Sequence, residues 1–279
     1  MEGGAFQQVM MAREMFGRRI LILAPHPDDE VVACAAAIGR AKAQGAEILV
    51  LYLTDGCLAR ETMWPWRRAH RAEAIARRRT EAEGAAERLG ITPVGWMARP
   101  SRRLWRELPR VHAEIEMAIG ARAPDQIWVP AYEGGNPDHD ALNALGALFA
   151  DRLSVLEFAE YNFFGGRARS QQFPHPDGHE QTIVLTPEEG ERKTGLLRHY
   201  ASERGNLNYV GVARECFRPL AAYDYSRPPH SGTLWYARFQ WVPFRHPRVD
   251  FTRPEEVSRA ICAYLNEAAG REKSSRERT

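Results

Sequence analysis

Lysine is nearly missing from this chain of 279 residues: of its 38 basic side chains three are lysine, at 42, 193 and 273, and the other 35 are arginine. A genome-wide codon bias is the plain account of that preference. With 36 acidic residues the formal net charge is only +2, which removes any whole-chain argument for nucleic acid. Cysteine is scarce as well. Cys34, Cys57, Cys216 and Cys262 stand apart without C-x-x-C spacing, so neither a disulfide framework nor a cysteine zinc site is expected, and the thiols read as those of a reduced, cytoplasmic protein. The longest apolar runs, Ile20 to Pro25 and Ile48 to Leu53, are far short of the roughly 20 residues of a membrane span. Met1 to Arg19 carries no apolar run with a small-residue cleavage site. A G-x-G-x-x-G after the first strand is absent too, which takes away the pyrophosphate cradle of a nicotinamide enzyme.

What is present alternates. Arg19 to Ala24 (RILILA) and Glu47 to Thr54 (EILVLYLT) read as strands buried on both faces. Val94 to Met97, Asp125 to Pro130 and Val155 to Tyr161 follow as further strands. Helical stretches lie between them, over Glu30 to Gln44, Trp66 to Leu89, Leu104 to Ala121 and His139 to Asp151, with Gly45 and Gly90 as stops. This rhythm predicts an α/β fold: a Rossmann-like three-layer α/β/α sandwich with a mainly parallel sheet over about residues 18–165. C-terminal elaborations follow over about 166–269, with helices at Pro187 to Tyr200 and Pro254 to Ala269. The reading is one domain, 1–269, and a disordered tail, 270–279.

Two polar segments fall where strands end. Ala24-Pro25-His26-Pro27-Asp28-Asp29-Glu30 follows the first strand, and Gly134-Gly135-Asn136-Pro137-Asp138-His139-Asp140 follows the fourth. In an open parallel sheet such ends share one face, where ligands bind. Imidazole and carboxylate suit zinc, and a catalytic site uses three protein ligands and an open position. His26 and Asp29 in a tight turn, completed by His139, make such a set. Asp28 then stands beside the metal, placed to take a proton from water. Each segment alone reads as readily as a helix N-cap with favourable dipole charges; two together at two strand ends do not.

A hydrophobic strand followed by PHPDDE, with a later PDHD, resembles the LmbE-like (PIG-L type) family of zinc-dependent N-deacetylases. Weaker echoes are Thr54-Asp55-Gly56, Arg78-x-x-Glu81, and Lys193 with Tyr200-Ala201-Ser202, where Glu203 replaces a usual glutamine. The resemblance implies Zn2+ on His26, Asp29 and His139, Asp28 as general base, and Arg78 as a substrate-contacting arginine, against its reading as one exposed charge among many. It further implies hydrolysis of an acetamido group on an N-acetylglucosamine-type sugar conjugate. The alternatives are a low-turnover family member that binds such a conjugate, and a metal-dependent hydrolase of another amide or ester.

One position departs from the family. Asn136 stands where a histidine is frequent, so it can donate a hydrogen bond to an oxyanion but cannot supply a proton. His175, His179 and His230, in irregular C-terminal loops, are the candidate replacement acids. Asp138 is expected to orient Asn136 or His139, and Asp140 to cap the following helix. Between Arg60 and Arg110, 13 arginines face six glutamates. The expected partner is a small amino-sugar conjugate, with a lean toward one bearing a negative group, and neither nucleic acid nor a membrane span. Trp64 and Trp66 are set to stack on a sugar or pack on helices. The number of subunits stays open, a homo-oligomer among the readings.

Overall fold

The computed structural model describes residues 15–244, 246 and 249–276. Its frame is a seven-stranded sheet in the order β3-β2-β1-β4-β5-β9-β8. The strands are β1 (Arg19–Ala24), β2 (Glu47–Tyr52), β3 (Thr92–Trp96), β4 (Gln126–Pro130), β5 (Ser154–Phe158), β8 (Gln181–Val184) and β9 (Arg214–Pro219). β1 to β5 pair in parallel, and β9 and β8 add antiparallel at one edge. The short strands β6 (Tyr161–Asn162) and β7 (Arg169–Ser170) form a separate hairpin. Helices α1 (Asp29–Ala43), α2 (Arg71–Leu89), α3 (Leu108–Arg122), α4 (Pro137–Ala147), α5 (Pro187–His199) and α6 (Pro254–Arg276) cover the faces.

The alternation of side chains along a strand sorts the layers. Ile20, Ile22 and Ala24 of β1 pack with the small residues of α1 and with Ala82, Ala85 and Ala86 of α2. Leu21 and Leu23 face the other way, onto Val111 and Ile115 of α3, Leu142 and Leu145 of α4, and Ile261 of α6. Both faces are therefore covered, which is why β1 and β2 read as continuous apolar runs. Among the described residues no helix is long and apolar enough to cross a membrane.

Three differences from the sequence expectation have physical causes. Trp66 does not begin α2: Pro65–His70 is a separate 3-10 turn and the α-helix starts at Arg71. The last helix runs on to Arg276 where a disordered tail from 270 was expected, and 277–279 lie outside the described residues. Most consequential, β8 and β9 extend the main sheet beyond residue 165. β9 (RECFRP) hides its strand character because its buried polar side chains are paired charges. Arg218 Nε donates to Glu157 at 2.6 Å, and Lys193 Nζ donates to Glu215 at 2.8 Å with both side chains fully buried. Glu215 also accepts from the backbone N–H groups of Ala36 and Ala37 inside α1.

That pair ties α5, β9 and α1 together behind the helix that presents Asp28 and Asp29. Removing one member of a buried pair strands the other charge. Lys193→Met is expected to lower the unfolding free energy by about 3–5 kcal/mol, read by urea denaturation, whereas a substitution of exposed Arg79 changes it by less than about 0.5 kcal/mol.

Candidate metal centre and its surroundings

The strand order reverses between β1 and β4, neighbours whose following helices lie on opposite faces. A crevice at such a switch point is where open α/β sheets bind ligands. Both polar segments end there. After β1, Pro25 and Pro27 withhold backbone donors, and the turn closes as Asp28 N–H donates to the His26 carbonyl at 2.9 Å. The His26 N–H donates to Asp29 Oδ2 at 2.7 Å, which folds that carboxylate back beside the imidazole. After β4, Asn136 caps α4: its Oδ1 accepts from Asp138 N–H at 2.9 Å. His139 thereby enters on the first turn of the helix.

Three donor atoms meet. His26 Nδ1 lies 3.3 Å from Asp29 Oδ2 and 3.2 Å from His139 Nε2, and Asp29 Oδ2 lies 3.5 Å from His139 Nε2. Ligands about 2.0–2.1 Å from a tetrahedral zinc are separated by roughly 3.3–3.4 Å, so the triangle has the size such an ion requires. All three residues are buried.

The charges point the same way. Burial alone favours a neutral His26 ring, but the carboxylates of Asp29 and Asp138 override it and hold its pKa up at about 10. Burial pushes His139 down to about 4. One proton on His26 thus serves as the counter-charge that a metal ion supplies in a site of this composition.

Asp138 does not orient Asn136 or His139 with its carboxylate. Its Oδ2 sits 3.1 Å from His26 Nε2, and the same carboxylate accepts from the backbone N–H groups of Arg102 and Leu104. Asp140 is not the helix cap either; it accepts from Gly134 N–H at 3.0 Å, while Asn136 does the capping. Asp28 occupies the N-cap position of α1 without making a side-chain cap bond. Its carboxylate faces Arg78 instead, at 3.1 Å. Burial raises the Asp28 pKa to about 6 even though Arg78 pulls it down. Arg78 is only 3% exposed, so the reading as one exposed charge is corrected. Its Nη1 lies 3.5 Å from Glu203 and, like its Nε, has no hydrogen-bond partner.

None of the three candidate acids joins this cluster. His175 and His230 flank the ring of Phe164, and the backbone N–H of His179 closes a turn onto Asp177. Trp64 and Trp66 stack on each other, with centroids 5.0 Å apart.

Sequence reasoning missed Glu160. It is fully buried just after β5, neither carboxylate oxygen has a hydrogen-bond partner, and Oε2 lies 3.8 Å from His139 Nδ1, itself unpartnered. Metal-bound imidazoles generally donate their second N–H to a carboxylate, and Glu160 is the group placed to receive it. Its signal, a carboxylate at the end of an apolar run, was present but easily taken for a loop residue.

The family described as GlcNAc-PI de-N-acetylase (PIG-L) matches residues 21–149, the segment from β1 to just beyond α4 that carries the donor triangle. That segment, a little under half of the chain, is similar to the PIG-L family. The chain is similar to a 1D-myo-inositol 2-acetamido-2-deoxy-alpha-D-glucopyranoside deacetylase of Kineococcus radiotolerans, 30% identical over 185 residues that make up 64% of this chain. The match spans about half (48%) of that relative's length. In fold it is similar to the A40926 pseudoaglycone deacetylase Dbv21 (TM-score 0.56, 20% identity, 75% of this chain and 100% of that one). A deacetylase of teicoplanin biosynthesis is comparable (TM-score 0.58, 20% identity, 74% and 99%). So is the zinc-inhibited form of teicoplanin deacetylase Orf2 (TM-score 0.57, 20% identity, 74% and 99%). At that identity the likeness is one of fold.

If Glu160 holds the His139 ring, Glu160→Ala weakens zinc binding by about 10- to 100-fold in a chelator-competition titration. Glu160→Gln, which keeps an acceptor, loses less.

Proposed function

We propose that this protein is a PIG-L-type, zinc-dependent N-deacetylase acting on an amino-sugar conjugate of the N-acetylglucosamine type. The observation that carries the reading is the buried His26–Asp29–His139 triangle with the carboxylate of Asp28 beside it. A zinc ion held by these three groups supplies Lewis acidity toward an amide carbonyl and makes water more acidic.

This chain's own residues do the rest. Asp28, unused as a helix cap and held by Arg78, takes the proton of the attacking water on its carboxylate. Its elevated pKa keeps it basic enough to accept that proton near neutral pH. With the Asn136 oxygen committed to capping α4, its Nδ2 amide is the part left to donate to the developing oxyanion, a contribution of about 3 kcal/mol for a well-aimed donor. Asparagine has no proton to give, and the three loop histidines stand elsewhere. Asp28 therefore returns its proton to the departing amine. Arg78, buried against Asp28 at 3.1 Å, holds that carboxylate in place. Water exclusion comes from the buried setting of the triangle. We further assign a cytoplasmic setting, in keeping with four cysteines that are all free.

The test is release of acetate and free amine from N-acetylglucosaminyl conjugates by zinc-loaded protein. Turnover is expected with wild type and a loss of about 10²–10⁴-fold in Asp28→Asn; stoichiometric zinc with no hydrolysis of any acetylated conjugate contradicts the reading. The pH dependence has a definite sign. The working form of Asp28 is the carboxylate, so the rate falls as pH drops through about 6. Arg78 favours that anion, so in Arg78→Gln the Asp28 pKa rises and the acid limb of the profile moves to higher pH. A limb that stays in place or moves down would separate Arg78 from Asp28.

A further inference from the structure

Eight large hydrophobic side chains are exposed among the described residues, and five of them, Trp66, Phe239, Trp241, Phe244 and Phe251, gather in two segments. Single exposed hydrophobic residues are ordinary, but a cluster of them marks a surface with a partner. All five are aromatic, and three project far: Trp241 is 77% exposed, Trp66 67% and Phe244 60%. The two segments touch. Trp64 stacks on Trp66 and meets the His246 ring edge-on at 5.3 Å, which sets the loop after β2 against the stretch from Leu234 to Phe251.

Both segments are anchored at the mouth of the metal crevice. Thr54, where the loop after β2 begins, donates its hydroxyl to the Pro25 carbonyl at 2.7 Å. The second stretch starts where Trp235 N–H donates to the Gly134 carbonyl at 2.9 Å, and the Trp235 ring lies 5.2 Å from that of Tyr161. The exposed rings thus form part of the crevice rim.

Charge decides what covers them. Residues 58–70 and 234–251 hold six arginines and only two carboxylates, Glu61 and Asp250. Both carboxylates are taken by arginines from outside these segments: Glu61 by Arg103 at 2.9 Å and Asp250 by Arg102 at 3.5 Å. Arg60 and Arg67 meet no carboxylate among the described residues, and Arg68 is held by the backbone carbonyls of Met63 and Glu61. Rings that enter an apolar layer, beside guanidinium groups that meet phosphates, make up an interfacial surface. A second copy of this chain fits it poorly, because a two-fold contact sets the same unpaired arginines against each other. Single-stranded nucleic acid needs open ring faces. Here Trp64 and Trp66 cover one another nearly in parallel, and Arg238 lies over the rings of Trp235 and Phe239.

We propose that this aromatic and basic rim docks on the surface of an anionic lipid bilayer. Trp66, Trp241 and Phe244 enter the headgroup region, Arg60 and Arg67 meet lipid phosphates, and the crevice mouth turns toward the membrane. Such docking goes beyond the deacetylase reading and holds whichever bond the crevice hydrolyses.

The test pellets the full chain with vesicles of phosphatidylcholine alone, or of phosphatidylcholine with an equal part of phosphatidylglycerol. Wild type is expected to bind the anionic vesicles at least tenfold more tightly, with the difference shrinking as salt rises. Trp66→Ser/Trp241→Ser is expected to bind them at least tenfold more weakly than wild type. Arg60→Gln/Arg67→Gln, which breaks no ion pair, is expected to lose the preference for anionic over neutral vesicles. Lipid brominated on its acyl chains quenches tryptophan emission in wild type and much less in the tryptophan variant. Phe244→Ser, measured the same way, carries the test if the tryptophan variant has a lowered thermal unfolding midpoint. No pelleting of wild type with anionic vesicles, equal pelleting of the variants, or no quenching overturns the proposal. So does a dimer in solution that dissociates in the tryptophan variant, which gives the surface to a second copy. An oligouridylate that binds wild type and releases it from vesicles overturns it too, and gives the surface to nucleic acid.

Discussion

The pairing of β1 with β4 is the constraint on which the rest of the molecule depends. Ile20, Leu21 and Ile22 stand in register with Gln126, Ile127 and Trp128, and this fixed alignment brings His26 and His139, 113 positions apart in sequence, to 3.2 Å. A shift of register would carry one ligand away from the other two. The two strands hold because their side chains feed both layers of core at once, so the geometry of the centre is backed by the most deeply buried part of the protein. Chain order makes the arrangement possible: the switch between β1 and β4 opens a crevice that no strand crosses.

The electrostatic burden of the centre is large. Asp28, Asp29, Glu30, Asp138 and Glu160 are all buried around a few ångströms of space. Burying carboxylates is unfavourable unless each finds a donor or a counter-ion. Asp138 finds two backbone N–H groups and the His26 ring, Asp28 finds Arg78, and Glu30 takes the Tyr200 hydroxyl at 2.6 Å. Glu160 and the second nitrogen of His139 find nothing. Burial accordingly pushes up the pKa values of Asp28, Glu30 and Glu160, and a cation bound at the triangle would draw them back down.

How far this was legible in the sequence follows from which signals are local. β1 and β2 announce themselves because burial on both faces demands unbroken apolar runs, whereas β3, half-buried at the sheet edge, gives a weaker signal. The metal ligands do so because prolines and carboxylates in a six-residue turn are unusual. Arg78 is different: its neighbours Arg77 and Arg79 are exposed on the same helix, and only the packed structure separates the buried one from them. β9 is hidden because Glu215 and Arg218 occupy core positions where hydrophobic residues are expected, their charges being met by Lys193 and Glu157. The partner of Asp138 was misjudged for a related reason. Sequence proximity favours Asn136 and His139, whereas the fold places His26, from the other strand, against its carboxylate.

The central claim is that three residues from two strand ends form one cation site of nitrogen and oxygen donors. Zinc-edge X-ray absorption on protein loaded with one equivalent of zinc tests it most directly. The account predicts nitrogen and oxygen ligands at about 2.0–2.1 Å with an imidazole signature, lost on His139→Ala. A sulfur shell near about 2.3 Å, or a spectrum that His139→Ala leaves unchanged, would contradict it.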